Sequence, residues 1–196
     1  MSKRVLIISI ISIIIFILIV VGILFGVYIN IRNNIIAKSV KTEEAWAQVQ
    51  NVYQRRLDLV PNLAESAKAY LKLEKDIFQA IADARKGIQN AQTPAELENA
   101  TSEINSFIRD FRVTVEDTPE LKASETIRDL MNQLEGTENR ITVERQRFNE
   151  AVRDYNIYIK SWPNNIVANR LGYTEKSFFQ AEEGAEQAPE IDLNLE

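Results

Sequence analysis

The side chains able to do chemistry in this chain are carboxylates, guanidinium groups, amides and phenols, because histidine and cysteine are both absent. Without them there is no imidazole base, no thiol nucleophile, no disulfide and no zinc site of the usual kind. A di-iron bundle, which needs two Glu-x-x-His pairs, is excluded for the same reason. With six glycines and no Gly-rich run, there is no phosphate-cradling loop. The carboxylates fall into two polar groups worth testing. One is Arg55, Arg56 and Asp58, with Asn62 one turn on. The other is Thr137, Glu138, Asn139 and Arg140, which interrupts a long apolar stripe.

Each group has a bland reading beside a functional one. Arg55, Arg56 and Asp58 form either a partner-binding patch or, more ordinarily, ion pairs along one helix. Glu138 and its neighbours either break a helix or supply a buried polar layer that fixes helix register. If Asp58, Asn62, Glu138 and Arg140 are buried together, Glu138→Ala should cost about 3–5 kcal/mol by leaving a charge unpaired. An enzyme restricted to these side-chain types would need Asp58, Glu138 and Arg140 in one cleft. Glu43, Glu44, Glu65 and Glu74 read as solvated helix faces rather than as the paired acids of glycoside hydrolysis. No catalytic residue, metal ligand, cofactor site or small-molecule substrate is assigned.

These residues must be positioned by helices. From Val5 to Tyr28 run 24 uncharged residues, dominated by Ile, Val, Leu and Phe. As a helix they measure roughly 36 Å, enough to cross about 30 Å of hydrocarbon with some tilt. A cleaved signal peptide has a much shorter apolar core and a small-x-small site, which is missing before Tyr28. Residues 5–28 are therefore read as a transmembrane helix contacting the lipid bilayer, preceded by a short basic terminus, residues 1–4. Lys3 and Arg4 favour a cytoplasmic N-terminus and an exported bundle, although Arg32, Lys38 and Lys41 on the other flank nearly cancel that bias.

Beyond Arg32 apolar residues recur at threes and fours: Ile35, Trp46, Val49, Tyr53, Leu57, Val60, Leu63, Ala67, Tyr70, Ile77, Ile81, Ala84 and Ile88. Pro61 predicts a kink there, or a stop near Val60 and a restart. Gly87, Asn90 and the turn before Pro94 end this segment. Thr93-Pro94-Ala95-Glu96 opens the next helix, whose stripe is Leu97, Ile104, Phe107, Ile108, Phe111 and Val115. Asp117-Thr118-Pro119-Glu120 repeats the signal for a third, with Ile127, Leu130, Leu134, Ile141, Phe148, Val152, Tyr155, Ile159 and Trp162. It runs 44 residues from Pro119 to Trp162 unless Gly136 and Thr137 break it. A short helix from Asn164 to Leu171 closes at Gly172. Trp46 and Trp162 read as core or membrane-interface residues.

The expected fold is all-α. It has an N-terminal transmembrane helix and then, over residues 29–180, an elongated antiparallel up-and-down bundle. The bundle comprises three long helical segments, or four helices if broken at Pro61 or Gly136. Residues 181–196, with six acids and no base, read as a disordered tail. Net charge is −5 overall, but about −1 once Lys3, Arg4 and this tail are set aside, so no field exists to capture nucleic acid.

Arg55-Arg56-Leu57-Asp58-Leu59-Val60-Pro61-Asn62-Leu63 resembles the LemA family of bacterial membrane-anchored helical proteins. Ala45-Trp46, Gln48-Val49, Pro119-Glu120-Leu121-Lys122-Ala123, Thr137-Glu138-Asn139-Arg140-Ile141, Arg147-Phe148-Asn149-Glu150-Ala151-Val152, Tyr155-Asn156, Trp162-Pro163-Asn164-Asn165 and Gly172-Tyr173 extend the likeness over about residues 30 to 180. Thr118 stands where relatives often carry an aromatic, and Trp162 where Phe is usual. The resemblance implies an anchor followed by a helical bundle in the cell envelope, with no established catalytic activity. Three functions are weighed: a tethered scaffold binding protein partners or copies of itself, an accessory subunit of a membrane protease or envelope-stress system, and, least favoured, an enzyme. The second rests on relatives resembling this family being often encoded beside membrane proteases.

Overall fold

The computed structural model describes residues 3–68 and 76–180, and within them every regular element is a helix. The order is α1 (Lys3–Ala67), α2 (Asp76–Asn90), α3 (Pro94–Asp117), α4 (Pro119–Ala123), α5 (Glu125–Lys160) and α6 (Asn164–Leu171). Tyr70, Glu74 and the acidic tail 181–196 lie outside the described residues. Two compact units are distinguished: Met1–Asn51 with Gln146–Lys176, and Val52–Arg145 with Ser177–Glu196.

In the first unit, α1 begins with the apolar run. Every residue from Ser9 to Val27 is exposed, and α1 is the one described helix long and apolar enough to cross a membrane. From Ile31 the pattern changes to a stripe. Ile31 and Ile35 pack with Tyr155 and Ile159 of α5 and with Val167 and Ala168 of α6, while Tyr28, Tyr158 and Tyr173 lie against this cluster. Trp46 meets Phe148 at 5.2 Å between ring centroids, and the Lys38 ammonium stands 5.5 Å from the centre of the Tyr158 ring. As contacts advance along α1 they retreat along α5, so the two helices are antiparallel.

The second unit holds the last turns of α1, with Tyr53, Leu57, Val60, Leu63 and Ala64 buried, together with α2, α3, α4 and the first part of α5. Helices α2 and α3 form a hairpin across three residues. Thr93 caps α3 as expected: its Oγ1 accepts the Glu96 amide at 3.3 Å, and Glu96 Oε2 accepts the Gln92 amide at 2.8 Å. Helix α2 ends at Asn90, where Gly87, Asn90 and the turn before Pro94 put the stop, and Gly87 is also a contact point. A Cβ there would lie 2.5 Å from the Cβ of Ala100, so only glycine lets α2 approach α3 this closely.

Several boundaries differ from expectation. Pro61 neither ends nor restarts a helix: α1 continues through it to Ala67. Proline removes one hydrogen bond to the carbonyl four residues back, but the fully buried Val60, Leu63 and Ala64 bracket the site and hold the turn by packing. Gly136 and Thr137 do not break α5 either. Thr137 occupies the core position between Leu134 and Ile141, with its hydroxyl donating to the Leu134 carbonyl at 2.7 Å. The real interruption in this segment is Ser124, in extended backbone between α4 and α5; its Oγ accepts the Ile127 amide at 3.5 Å. Thr118 flanks α4 without the side-chain cap that Thr93 makes. Helix α6 spans Asn164–Leu171 and ends at Gly172 with φ 77°, as read from the sequence.

Candidate functional site

The second unit contains the polar residues singled out above, and Asp58 and Glu138 among them meet arginines of other helices. Glu138 is the hub. One carboxylate oxygen accepts from Arg112 of α3 at 2.7 Å, and the other lies 3.8 Å from Arg56 of α1, whose side chain is only 12% exposed. Asp58 accepts from Arg85 of α2 at 2.7 Å. Asp58 and Arg56 thus each meet a charged group on another helix. The expectation of a buried layer fails, because Asp58, Asn62 and Arg140 are exposed and Glu138 is half-exposed. Arg55 and Asn139 are exposed as well. The physical reason is periodicity. The buried residues of α1 here are Tyr53, Leu57 and Val60, and those of α5 are Leu134, Thr137 and Ile141. Residues next to a core position point about 100° away from it.

A second ionic contact was not anticipated. Arg145 of α5 donates to Glu98 of α3 at 2.7 Å and to the Gln180 carbonyl at 3.1 Å, and its guanidinium lies 4.6 Å from the centre of the buried Phe179 ring. Tyr53 belongs to the same cluster. Burial pushes its phenol above the ordinary value; Arg145 and Arg56 pull it partly back, and Glu98 adds to the rise. The alternation of Arg56, Glu138, Arg112 and of Arg145, Glu98 orients α3 and α5 antiparallel.

Beside Glu138 a cleft of about 640 Å³ opens among the end of α3, α4 and the start of α5. Val115, Ile127 and Met131 contribute apolar wall, while Arg112, Lys122, Arg128, Glu116, Glu135, Glu138 and Asn139 supply charge of both signs and an amide. Charges of both signs line it, so it has no uniform field for a lone cation or anion. Among the described residues no cluster of three or more carboxylates is placed to hold a metal ion.

In the first unit the segment after α6 is pinned as a strap. Asn156 makes a two-bond clamp on the Lys176 backbone, donating to its carbonyl at 2.9 Å and accepting from its amide at 3.0 Å. Tyr155 donates to the Thr174 carbonyl at 3.1 Å. The Lys176 ammonium reaches the Thr42 hydroxyl and lies 3.6 Å from Glu43. Burial raises the Tyr155 phenol, with Tyr173 and Glu43 adding to the shift. The sequence carried one signal for this clamp, a polar Asn156 directly beside a core Tyr155.

The remaining motifs find structural uses. Trp46 is half-buried on Phe148, whereas Trp162 is not core at all, with 80% of its surface exposed at the end of α5.

Several known proteins are similar to this chain in sequence. Protein LemA of Metamycoplasma hominis is 24% identical over 174 residues, covering 87% of this chain and 78% of that protein. Magnetosome protein MamQ 2 of Paramagnetospirillum magneticum is 25% identical over 174 residues, and magnetosome protein MamQ of Magnetospirillum gryphiswaldense 25% over 166. The matches cover 64% and 61% of those two proteins, so the chain spans less than two thirds of either. None of these names states a catalytic activity. The LemA family model matches residues 45–193, a stretch that takes in the Glu138 hub, the Arg145 cluster and the Asn156 clamp, and the chain belongs to the LemA family.

Proposed function

We propose that this protein is a membrane-anchored scaffold whose residues 5–28 cross the bilayer once and whose helical part, residues 29–180, engages protein partners or further copies of itself. The observation that carries the reading is α1: from Ser9 to Val27 it is apolar and exposed on every face, and the same helix continues without interruption to Ala67. A backbone whose hydrogen bonds are all satisfied within the helix, clothed in aliphatic side chains, is what hydrocarbon accepts. Confinement to a plane raises the effective concentration of the helical part for neighbours in that membrane, so weak contacts suffice.

Arg55, Asn62, Asn139 and Arg140 are exposed, and Asn139 borders the cleft beside Glu138; these are the groups a partner would meet. Arg55→Glu combined with Arg140→Glu should abolish cross-linked complexes in intact membranes while leaving helical content unchanged. Retention of the same complexes would refute the assignment. In this reading Lys3 and Arg4 favour a helical part outside the cytoplasm, a lean that Arg32, Lys38 and Lys41 on the other flank nearly cancel. A C-terminal reporter active only outside should light up, and one active only inside should stay dark; the reverse pattern would move the partner search to the inner face.

A further inference from the structure

The corner joining α5 to α6 presents apolar side chains to solvent. Trp162 is 80% exposed, Ile166 60% and Leu171 38%. Single exposed apolar residues need no explanation, but three within ten residues, one of them tryptophan, form a patch. Its place in the fold identifies what covers it. The inner face of α6, Val167 and Ala168, shares one cluster with Ile31 and Ile35 of α1, and Tyr28 packs against that cluster. Tyr28 is the residue that follows the fully exposed apolar run, which ends at Val27.

At 1.5 Å per residue, Ile31 lies only about 6 Å along α1 from Val27. The polar layer on each side of the hydrocarbon is about 5–8 Å deep. The cluster that holds α6 therefore starts within the headgroup layer, at Tyr28 and Ile31, and runs outward about 12 Å to Ile35 whenever the apolar run occupies the hydrocarbon. Tryptophan is favoured in the headgroup layer because its indole has an apolar body and one polar N–H. Arg170 on α6 and Arg32, next to Ile31 on α1, are both exposed and suit anionic headgroups.

We infer that the α5–α6 corner, through Trp162 and Ile166, is a second membrane contact that lies in the interfacial layer of the bilayer crossed by α1. It rests on the reading that residues 5–28 span that bilayer. The corner gives the first unit a second attachment to the bilayer surface beside α1. That fixes which faces remain open to partners.

The chain has no cysteine, so single cysteines introduced at exposed positions can carry a nitroxide label without competing sites. Three full-length variants, Leu18→Cys, Ile166→Cys and Glu44→Cys, would be labelled and reconstituted into vesicles of mixed zwitterionic and anionic phospholipid. Relaxation by dissolved oxygen, which concentrates in lipid, is compared with relaxation by a water-soluble nickel chelate. The expected result is oxygen dominance at Leu18, chelate dominance at Glu44, and an intermediate ratio clearly shifted toward oxygen at Ile166. A label at Ile166 that matches Glu44 while Leu18 reports hydrocarbon overturns the inference and leaves the anchor intact; the patch then faces water or a protein. Chelate access at Leu18 would overturn the anchor and this contact together.

Discussion

Between Ser9 and Val27 α1 exposes every side chain, while between Ile31 and Ala64 it hides Ile31, Ile35, Val49, Tyr53, Leu57, Val60, Leu63 and Ala64 and wets much of the remainder. The backbone conformation is the same, and only the distribution of apolar residues around the axis differs. An apolar residue on every face leaves no solvated side, so such a helix needs an apolar solvent; an apolar stripe needs one partner surface. Hydrophobic content sets the medium, and periodicity sets the neighbour.

The largest expected effect comes from the striped half. Leu57 is 2% exposed, and Leu57→Ala should destabilise the helical part by about 2–5 kcal/mol. Urea unfolding of the detergent-solubilised chain checks this, and membrane retention should not change. Leu18→Lys is the counterpart in the apolar half. Leu18 is 65% exposed, so the substitution should leave the urea midpoint in place while costing about 3 kcal/mol of insertion, read as the ratio of inserted to non-inserted chains in a cell-free membrane assay. If either change moved the other's readout, the division between the two halves would fail.

Smaller effects probe the polar residues that border the stripe. With Glu138 half-exposed, Glu138→Ala should cost about 1 kcal/mol, not the several expected of a buried charge. Tyr53 lies within the stripe itself, and Tyr53→Phe should cost about 1 kcal/mol near neutral pH because Arg145 loses a hydrogen-bond acceptor. Its phenol is raised in the folded state, so the native protein holds that proton more tightly than the unfolded chain does. The resulting stability is fully present below about pH 10 and declines as pH rises through the ordinary phenol value toward the folded one. Alkaline titration of the unfolding midpoint should fall more gently in Tyr53→Phe than in the parent chain.

Much of this architecture was legible because it follows from periodicity. The apolar run, the stripes of α3 and α5, the Thr93 cap and the Gly172 stop all depend on residues within one or two turns of each other. What escaped depends on contacts between helices. Pro61 reads as a kink or a break because its local cost is known, and the packing around Val60 and Leu63 that lets the helix continue is not local. Gly87 reads as a terminator because glycine weakens helices, and its second use, the approach of Ala100, is not local. At the candidate site, Arg56, Asp58 and Glu138 were recognisable as polar groups, but Arg85 and Arg112 stand 27 and 26 positions from the carboxylates they meet. Nothing in the spacing along the chain assigns those partners.

The comparison within α1 is sharpest where the same substitution should do almost nothing. Val40 lies on the striped half, yet it falls off the stripe and is 44% exposed. Val40→Lys adds the same charge to the same helix as Leu18→Lys, on a side chain already in contact with water. The stem of lysine can lie along the helix while its ammonium stays hydrated, and lysine is a better helix former than valine by a few tenths of a kcal/mol. The expected change in unfolding free energy is within about 0.5 kcal/mol, with no change in membrane insertion. A loss of several kcal/mol at Val40, measured by the same urea titration, would mean that this face is covered by something other than water, and that the striped half of α1 has a second neighbour.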